Sequence, residues 1–133
     1  MSEVRAMFLG FTGTRRGMTQ PQREAVARLL RQRGLHRRII FHHGGAFGAD
    51  SGAAEIAYAL GYEVRTHLPA GRAPADYLAR NHAIVDITDE LLAAPAGMEE
   101  ELRSGTWATI RYARKERRMV TVVWPDGTMS FDP

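Results

Sequence analysis

Short apolar runs alternate along the chain with segments whose apolar residues recur at helical spacing. The first run, Val4 to Phe11, is bounded by glycine and is typical of a buried strand. A helix is then expected from Thr19, which can form a capping box with Gln22, to Gly34. The same signals predict further strands at 38–43, 62–68, 90–94 and 119–124, and helices at 50–60, 76–85 and 104–117.

The resulting order of elements, β-α-β-α-β-α-β-α-β, predicts the fold class. Strands that alternate with helices through short links form a parallel sheet with helices on both faces. The continuous apolar strands agree with burial from both sides. We therefore expect an α/β three-layer sandwich of about five strands, formed by residues 1–133 as a single domain.

The composition of the chain bears on its compartment and excludes some kinds of site. The chain has 133 residues, of which 44% are hydrophobic and 25% charged, as in ordinary globular domains. It has no cysteine, which excludes disulfides and thiolate zinc sites. The first residues are too short and too rich in glycine for a signal peptide, and no apolar run reaches the ~20 residues of a membrane span. We therefore expect a cytoplasmic protein with no membrane partner.

The positive charge of the chain is almost entirely arginine, with 17 arginines and a single lysine, Lys115. This bias follows either from codon usage in a GC-rich genome or from a need for planar, bidentate contacts to anions. One basic run also allows two interpretations, because it can form a solvated helix face or a patch that binds nucleic acid. It consists of Arg111, Arg114, Lys115, Arg117 and Arg118.

Unusual residues gather in the loops that leave the carboxyl ends of the predicted strands. Parallel α/β sheets bind ligands at this edge, where the strand order reverses. The four loops read GFTGTRRGMT at 10–19, HGGAFGADSG at 43–52, PAGRAPADYLARN at 69–81 and PAGMEEELRSGTW at 95–107. Glycine, hydroxyl side chains and arginine recur in them, which favours an anionic ligand.

The second loop carries three glycines and one acid before a helix. Gly44, Gly45 and Gly48 have no Cβ, so the backbone there can come close to a ligand. The helix that follows attracts anions at its N-terminus. Asp50 either caps this helix or accepts a hydrogen bond from a ribose hydroxyl. The glycine spacing matches neither the dinucleotide fingerprint nor the Walker loop.

Two adjacent histidines, His42 and His43, precede this loop. Neighbouring strand residues point to opposite faces, so one ion is not expected to bind both. We therefore expect no metal site here.

The first and fourth loops offer groups that suit a phosphate. Thr12, Gly13 and Thr14 stand beside Arg15 and Arg16, an arrangement for phosphate or carboxylate contact unless the loop is merely solvated. The fourth loop ends in Ser104, Gly105 and Thr106 at a predicted helix start. Hydroxyls and backbone N–H groups there can hold a phosphate or simply cap the helix.

Two other groups of polar residues leave alternatives open. Arg80 and Asn81 lie inside the third predicted helix, where they either cap another loop or touch a ligand. Glu99, Glu100 and Glu101 form a run that is either solvated or a source of catalytic acids.

Taken in order, the segments GFTGTR, HGGAFGAD, ARN and RSGTW resemble the SLOG superfamily of Rossmann-like nucleotide-binding domains. That superfamily includes the DprA (Smf) DNA-processing proteins, the LOG-type phosphoribohydrolases and the small YspA/YAcAr (DUF2493-like) domains, to which this chain looks closest. The resemblance covers about residues 6–124 and implies a Rossmann-like fold with a nucleotide-type ligand and no further cofactor. It also implies a homodimer or higher oligomer.

The resemblance implies ligand or phosphate binding for residues of all four loops. They are Gly10, Thr12, Gly13, Thr14 and Arg15 in the first, Gly44, Gly45, Gly48 and Asp50 in the second, Arg80 and Asn81 in the third, and Ser104, Gly105 and Thr106 in the fourth.

The sequence departs from the LOG-type enzymes at their catalytic acid. Those enzymes carry a PGGxGTxxE motif, whereas Ala108, Thr109 and Ile110 stand where its glutamate should be. We therefore expect a protein that binds a nucleotide or nucleotide-derived ligand as a sensor or sequestering module. The alternatives are N-glycosidic hydrolysis, with Asp50 or the glutamate run as acid, and DprA-like binding of single-stranded DNA, which is the less favoured partner.

Overall fold

The computed structural model describes residues 5–46 and 48–132, and within them the chain forms a six-stranded sheet flanked by four helices. In chain order the elements are β1 (Met7–Gly13), α1 (Gln20–Arg33), β2 (Ile39–His43), α2 (Ala49–Ala59), β3 (Glu63–Thr66), α3 (Pro74–Ile87), β4 (Glu90–Ala94), α4 (Gly105–Lys115), β5 (Met119–Val123) and β6 (Met129–Asp132). The strand order is β3-β2-β1-β4-β5-β6. All neighbours are parallel except β5 and β6, which are antiparallel. The predicted α/β Rossmann-like class is confirmed.

The predicted capping box forms at the start of α1. The Thr19 hydroxyl accepts a hydrogen bond from the Gln22 backbone at 3.1 Å, and the Gln22 side chain accepts one from the Thr19 N–H at 3.1 Å. The amide of Gln22, which is buried, also donates to the carbonyls of Pro95 and Val123 at 3.0 and 2.9 Å. The cap therefore also ties α1 to the ends of β4 and β5.

Two apolar clusters lie on opposite faces of the sheet. The larger packs α1 and α2 against the sheet and includes the buried alanines Ala49, Ala53 and Ala57. The smaller packs α4 against β4 and β5 through Trp107 and Ile110. Alanines let α2 approach closely, since a Cβ added at Gly13 would lie 2.5 Å from the Cβ of Ala49. This contact sets the end of β1 against the start of α2.

The two edge strands of the sheet are short and carry ion pairs. β6, which the sequence did not predict, follows the turn at 125–127 and is held by a 2.8 Å hydrogen bond from Trp124 Nε1 to the Ser130 hydroxyl. Asp132 of this strand pairs with Arg114 at 2.7 Å. At the opposite edge, β3 is shorter than predicted, and its Glu63 pairs with Arg38 at 3.1 Å and with Arg65.

Two residues of the predicted strands and loops lie outside the described residues. They are Val4, the predicted start of the first strand, and Phe47 of the glycine loop. Among the described helices, none is both long and apolar enough to cross a membrane.

Candidate functional site

A cavity of about 340 Å³ opens at the carboxyl edge of the sheet, where the strand order reverses between β1 and β4. Its lining residues come from the end of β1, from the loops after β1, β2 and β4 and from helices α2, α3 and α4. They are Thr12, Gly13, Thr14, Arg15, Arg16, Ala46, Asp50, Tyr77, Arg80, Asn81, Ala96, Glu101, Ser104, Gly105 and Thr106. Loops far apart in sequence therefore meet at one place.

Ten of the fourteen candidate residues from the sequence line this cavity. They are Thr12, Gly13, Thr14, Arg15, Asp50, Arg80, Asn81, Ser104, Gly105 and Thr106. The fold thus brings together the first, third and fourth loops and the acid of the second. Whether these residues bind a ligand stays a prediction.

The other four candidates, all glycines, lie outside the lining of this cavity. Gly10 is covered by α3 and the turn after it, since an added Cβ would lie 2.6 Å from Thr88 Cγ2. Gly48 has a φ of +86°, and a Cβ there would clash with the carbonyl of Arg15. Both therefore serve packing between neighbouring segments.

Gly44 and Gly45 border a smaller adjacent cavity. A Cβ at Gly44 would lie 2.6 Å from the Arg80 guanidinium carbon, so this glycine makes room for an arginine of the chain itself. Gly45 has a φ of +71° and is exposed. The expected close approach of a ligand is therefore open only at Gly45.

Asp50 is a buried acid that holds the glycine loop. It lies in the first turn of α2, whose N-cap is Gly48, so the interpretation of Asp50 as the capping residue is wrong. Its carboxylate accepts a hydrogen bond from the Gly44 N–H at 3.0 Å. Burial raises the pKa of Asp50 to about 6, while backbone N–H groups of Gly44, Ala46 and Gly13 and the charge of Arg80 lower it. The side chain therefore titrates near pH 6.

Arg80 is fixed by backbone carbonyls. Its Nη1 donates to the carbonyls of Gly44 and, at 3.3 Å, of His67, and its Nε donates to the Asn81 side chain at 2.7 Å. Burial lowers the pKa of Arg80; the charge of Asp50 raises it, and that of Arg15 lowers it. Arg80 thus caps a loop, which was one of the two alternatives that the sequence left open. It also lines the cavity, and contact with a ligand stays a prediction.

The start of α4 is capped on one side and open on the other. The Ser104 hydroxyl accepts from the Trp107 N–H at 3.2 Å, and the first turn holds no acidic residue. A Cβ added at Gly105 would meet no atom within 4 Å. Ser104 is therefore occupied as a cap, whereas space remains beside Gly105 at the positive end of the helix dipole.

Several cations of the cavity have no carboxylate partner within the part of the chain that the structure describes. Among the described residues, the ion pairs include none of Arg15, Arg16 and Arg80. The Cζ atoms of Arg15 and Arg80 lie 5.4 and 5.7 Å from the centre of the Tyr77 ring instead. The acids of the lining are Asp50 and Glu101. The cavity therefore carries an excess of positive charge.

Five lining residues lie outside the fourteen candidates: Arg16, Ala46, Tyr77, Ala96 and Glu101. The sequence had singled out Arg16 as suited to contact an anion and Glu101 as one alternative for a catalytic acid, whereas it did not single out Ala46, Tyr77 and Ala96. Tyr77 and Glu101 come from segments that reach the cavity only through the packing of α3 and the loop before α4.

The position of the LOG-type acid is filled by helix packing. Thr109 and Ile110 are buried in α4, and the Thr109 hydroxyl donates to the Gly105 carbonyl at 2.9 Å. In the glutamate run, Glu100 pairs with Arg111 at 2.9 Å, while Glu101 borders the cavity. The two carboxyl groups that line the cavity, those of Asp50 and Glu101, thus stand at other positions than the glutamate of the LOG-type motif.

The adjacent histidines have partners within the chain. His42 Nδ1 lies 2.8 Å from His67 Nε2, and His43 Nε2 lies 3.0 Å from the Thr66 hydroxyl. Burial lowers the pKa of His42 to about 4, so its ring is neutral at physiological pH. Within residues 5–46 and 48–132, no group of three or more His, Asp or Glu side chains is placed to hold a metal ion.

Three residues of the basic run along α4 and the turn after it are engaged by acids and carbonyls. Arg111 pairs with Glu100 at 2.9 Å, Arg114 pairs with Asp132 at 2.7 Å, and Arg118 donates to the Asp86 carbonyl at 3.0 Å. These contacts favour a solvated, paired helix face over a free nucleic-acid patch.

No protein-family model matches the sequence, and no curated relative was found. Solved structures do match. DNA processing protein A (DprA) from Streptococcus pneumoniae superposes with a TM-score of 0.70 at 18% identity, covering 87% of this chain and 50% of that one. DNA processing protein A from Helicobacter pylori, which binds single-stranded DNA, gives 0.66 at 19%, covering 87% and 64%. This chain thus spans half to just under two thirds of their lengths.

A third similar structure is the molybdenum cofactor carrier protein from Chlamydomonas reinhardtii. It superposes with a TM-score of 0.58 at 20% identity, covering 87% of this chain and 76% of that one. At such identities the likeness establishes a shared Rossmann-like fold. Activity must be argued from the site itself.

Proposed function

We propose that this chain binds a nucleotide or a nucleotide-derived phosphorylated ligand at the carboxyl edge of its sheet, as a sensor or sequestering module. The observation that carries the proposal is the cavity of about 340 Å³, where the open start of α4 and three arginines without ion-pair partners among the described residues come together. A cavity of this volume suits a small molecule.

The ligand's phosphate is assigned to the turn at 104–106. Free N–H groups and the positive dipole end of α4 favour an anion there. Arg15 and Arg16 can contact a phosphate bidentately, and Arg80 adds charge from a fixed position. A sugar hydroxyl would meet Asp50. The motifs that carry the resemblance support a finer proposal, a homo-oligomeric member of the small YspA/YAcAr branch acting in the cytoplasm.

Titration calorimetry with a panel of ligands tests this proposal. The panel consists of ribonucleoside mono-, di- and triphosphates, ADP-ribose and cyclic dinucleotides. At least one is expected to bind with a dissociation constant of about 1 mM or tighter, a free energy of about −4 kcal/mol. Absence of binding heat with every ligand would refute the proposal.

Variants at Gly105 test where the phosphate binds. Gly105→Asp places a negative charge in the first turn of α4, which suits the helix dipole but opposes a bound anion. We expect the variant to fold like the wild type and to lose about tenfold or more in affinity, or about 1.4 kcal/mol. Gly105→Ala is the matched control and should bind normally. If Gly105→Asp and the wild type bound the phosphorylated ligand with equal affinity, the phosphate would have to bind at another place in the cavity.

A second candidate function is cleavage of an N-glycosidic bond. The observation that favours it is Asp50, a cavity-lining carboxyl that is 6% exposed and whose burial raises its pKa to about 6. A carboxyl that is partly protonated near neutral pH can act as a general acid. Asp50 would give its proton to the base as the C–N bond breaks, water would add to the sugar C1′, and the Asp50 carboxylate would take up the proton that this water releases.

Chromatography for free base separates the two functions. The protein is incubated with AMP or NAD for hours, beside an Asp50→Asn variant. Base release by the wild type and its loss in the variant would support hydrolysis. Measurable binding without base release would leave only the binding function.

A further inference from the structure

A second cavity of about 250 Å³ adjoins the candidate site. The two cavities share four lining residues: Arg15, Ala46, Tyr77 and Arg80. The rest of the second lining is Gly44, Gly45, Leu68 and Pro69. The cavities are therefore two compartments of one cleft with a common wall.

The chemistry of the two compartments differs. The main cavity holds aliphatic hydroxyls and both carboxylates, whereas neither kind of group lines the second among the described residues. The second has instead the apolar side chains of Leu68, Pro69 and Ala46. Leu68 is 77% exposed, so an apolar group placed against it would remove surface from water. The second compartment is therefore suited to an uncharged part of a ligand.

The common wall adds planar groups. The guanidinium Cζ atoms of Arg15 and Arg80 lie 5.4 and 5.7 Å from the centre of the Tyr77 ring. Aromatic rings and guanidinium planes are the surfaces on which proteins stack nucleobases. A flat, electron-rich ring is thus a better match for this wall than an aliphatic chain.

Gly45 lines this compartment with backbone alone, because it has no side chain. It is exposed, with a φ of +71°, and a Cβ there would lie 2.8 Å from Thr66 Cγ2 and 3.6 Å from Leu68 Cδ2. Any other residue would clash with the side chain of Thr66 and would be strained at this φ, whereas its contact with Leu68 would be an ordinary one. The glycine therefore keeps the space beside Leu68 free of a further side chain, so that a ring can cover the apolar surface there.

We infer that the second cavity is the subsite for the base of the ligand, while the phosphorylated sugar occupies the main cavity. The inference rests on the proposed function and deepens it, because it makes a two-part ligand the target. Binding energy for the base then comes from stacking on the wall and from contact with Leu68.

The test compares ligands with and without a base. Calorimetry measures AMP, GMP, CMP and UMP against ribose 5-phosphate, which lacks the base. At least one nucleotide should bind the wild type about tenfold or more tightly than ribose 5-phosphate does, since base stacking contributes about 1–3 kcal/mol.

Two exposed leucines provide a matched pair of variants. Leu68→Asn should remove most of the preference for the nucleotide and leave the affinity for ribose 5-phosphate within about twofold of the wild type. Leu35→Asn, at a residue that is 69% exposed and lines neither cavity, should change neither affinity. Both positions are exposed, so both variants should fold.

The outcomes separate the subsite from the function. Equal affinity of the wild type for ribose 5-phosphate and every nucleotide overturns the subsite and leaves the proposed function standing. A Leu68→Asn variant that keeps its nucleotide preference, or that weakens both ligand types equally, also overturns the subsite. No binding of any nucleotide or of ribose 5-phosphate overturns both.

Discussion

Two helices begin at the same edge of the sheet, and their first turns are built differently. α2 starts after Gly48 without a side-chain cap and carries Asp50 in its first turn. α4 starts after Ser104, whose hydroxyl caps it, and has no acid in its first turn. The chain therefore supplies its own anion to the first helix and leaves the second available for another.

The glycines at the two starts show the same contrast. Gly48 adopts a φ of +86° and a ψ of −126°, with the carbonyl oxygens of Thr14 and Arg15 in the way of any Cβ. Gly105 has free space around it. One glycine is needed by the fold, whereas the other leaves room at a cavity. Three measurements can break or sharpen this comparison.

The largest expected effect is the difference between Gly48→Ala and Gly105→Ala. The first introduces a strained backbone and a clash, and should lower the free energy of unfolding by about 3 kcal/mol. The second replaces glycine at a helix start and should leave stability unchanged or raise it by up to about 1 kcal/mol. Urea unfolding followed by circular dichroism measures both. Similar losses in both variants would contradict the assigned roles.

The charge of Asp50 should make stability depend on pH. Its pKa is about 6 in the folded protein, above its ordinary 3.8, so the folded state binds more protons between these values. This group's stabilising contribution is therefore present at low pH and is lost as pH rises through about 6. Between about pH 4 and about pH 7, the wild type should lose about 2 kcal/mol relative to Asp50→Asn.

Unfolding of both proteins in urea across this pH range tests the prediction, because other carboxyl groups cancel in the comparison. A constant difference between wild type and Asp50→Asn would show that the buried carboxyl does not titrate there. Asp50 would then be ionised across this range in the folded protein as it is in the unfolded chain, and burial would not raise its pKa.

The smallest expected effect concerns the cap of α4. Ser104→Ala removes the hydroxyl that accepts from Trp107 and should lower stability by about 1 kcal/mol. Ser104→Asp should restore the cap and, through its charge, weaken binding of a phosphorylated ligand. Thermal unfolding and calorimetry of the two variants separate capping from binding. Tight binding by Ser104→Asp would argue against an anion at this turn.

Most elements could be predicted because their signals are local. The capping box spans only the four residues from Thr19 to Gln22. The glycines and prolines that mark the ends of strands likewise stand close to those strands in the sequence. β6 gave no such signal, since four alternating residues after a turn resemble a loop. It is held by its pairing with β5 and by the contact between Trp124 and Ser130.

The candidate site was predictable to the extent that topology brings loop ends together. The sequence could not show that Gly44 accommodates Arg80, because 36 residues separate them. Nor could it place Tyr77 in a shared wall, since that depends on how α3 packs. Contacts between segments that are distant in the sequence decide whether a glycine makes room for a ligand or for another part of the chain.

The edges of the sheet bear on how copies of the chain can assemble. Both edge strands have four residues, and each carries an acid that is paired with arginine: Glu63 in β3 and Asp132 in β6. Short, charged edges are poor templates for adding a strand from another molecule. If copies of the chain associate as proposed, pairing through helical surfaces is therefore expected, and the sheet itself should resist growth into fibrils.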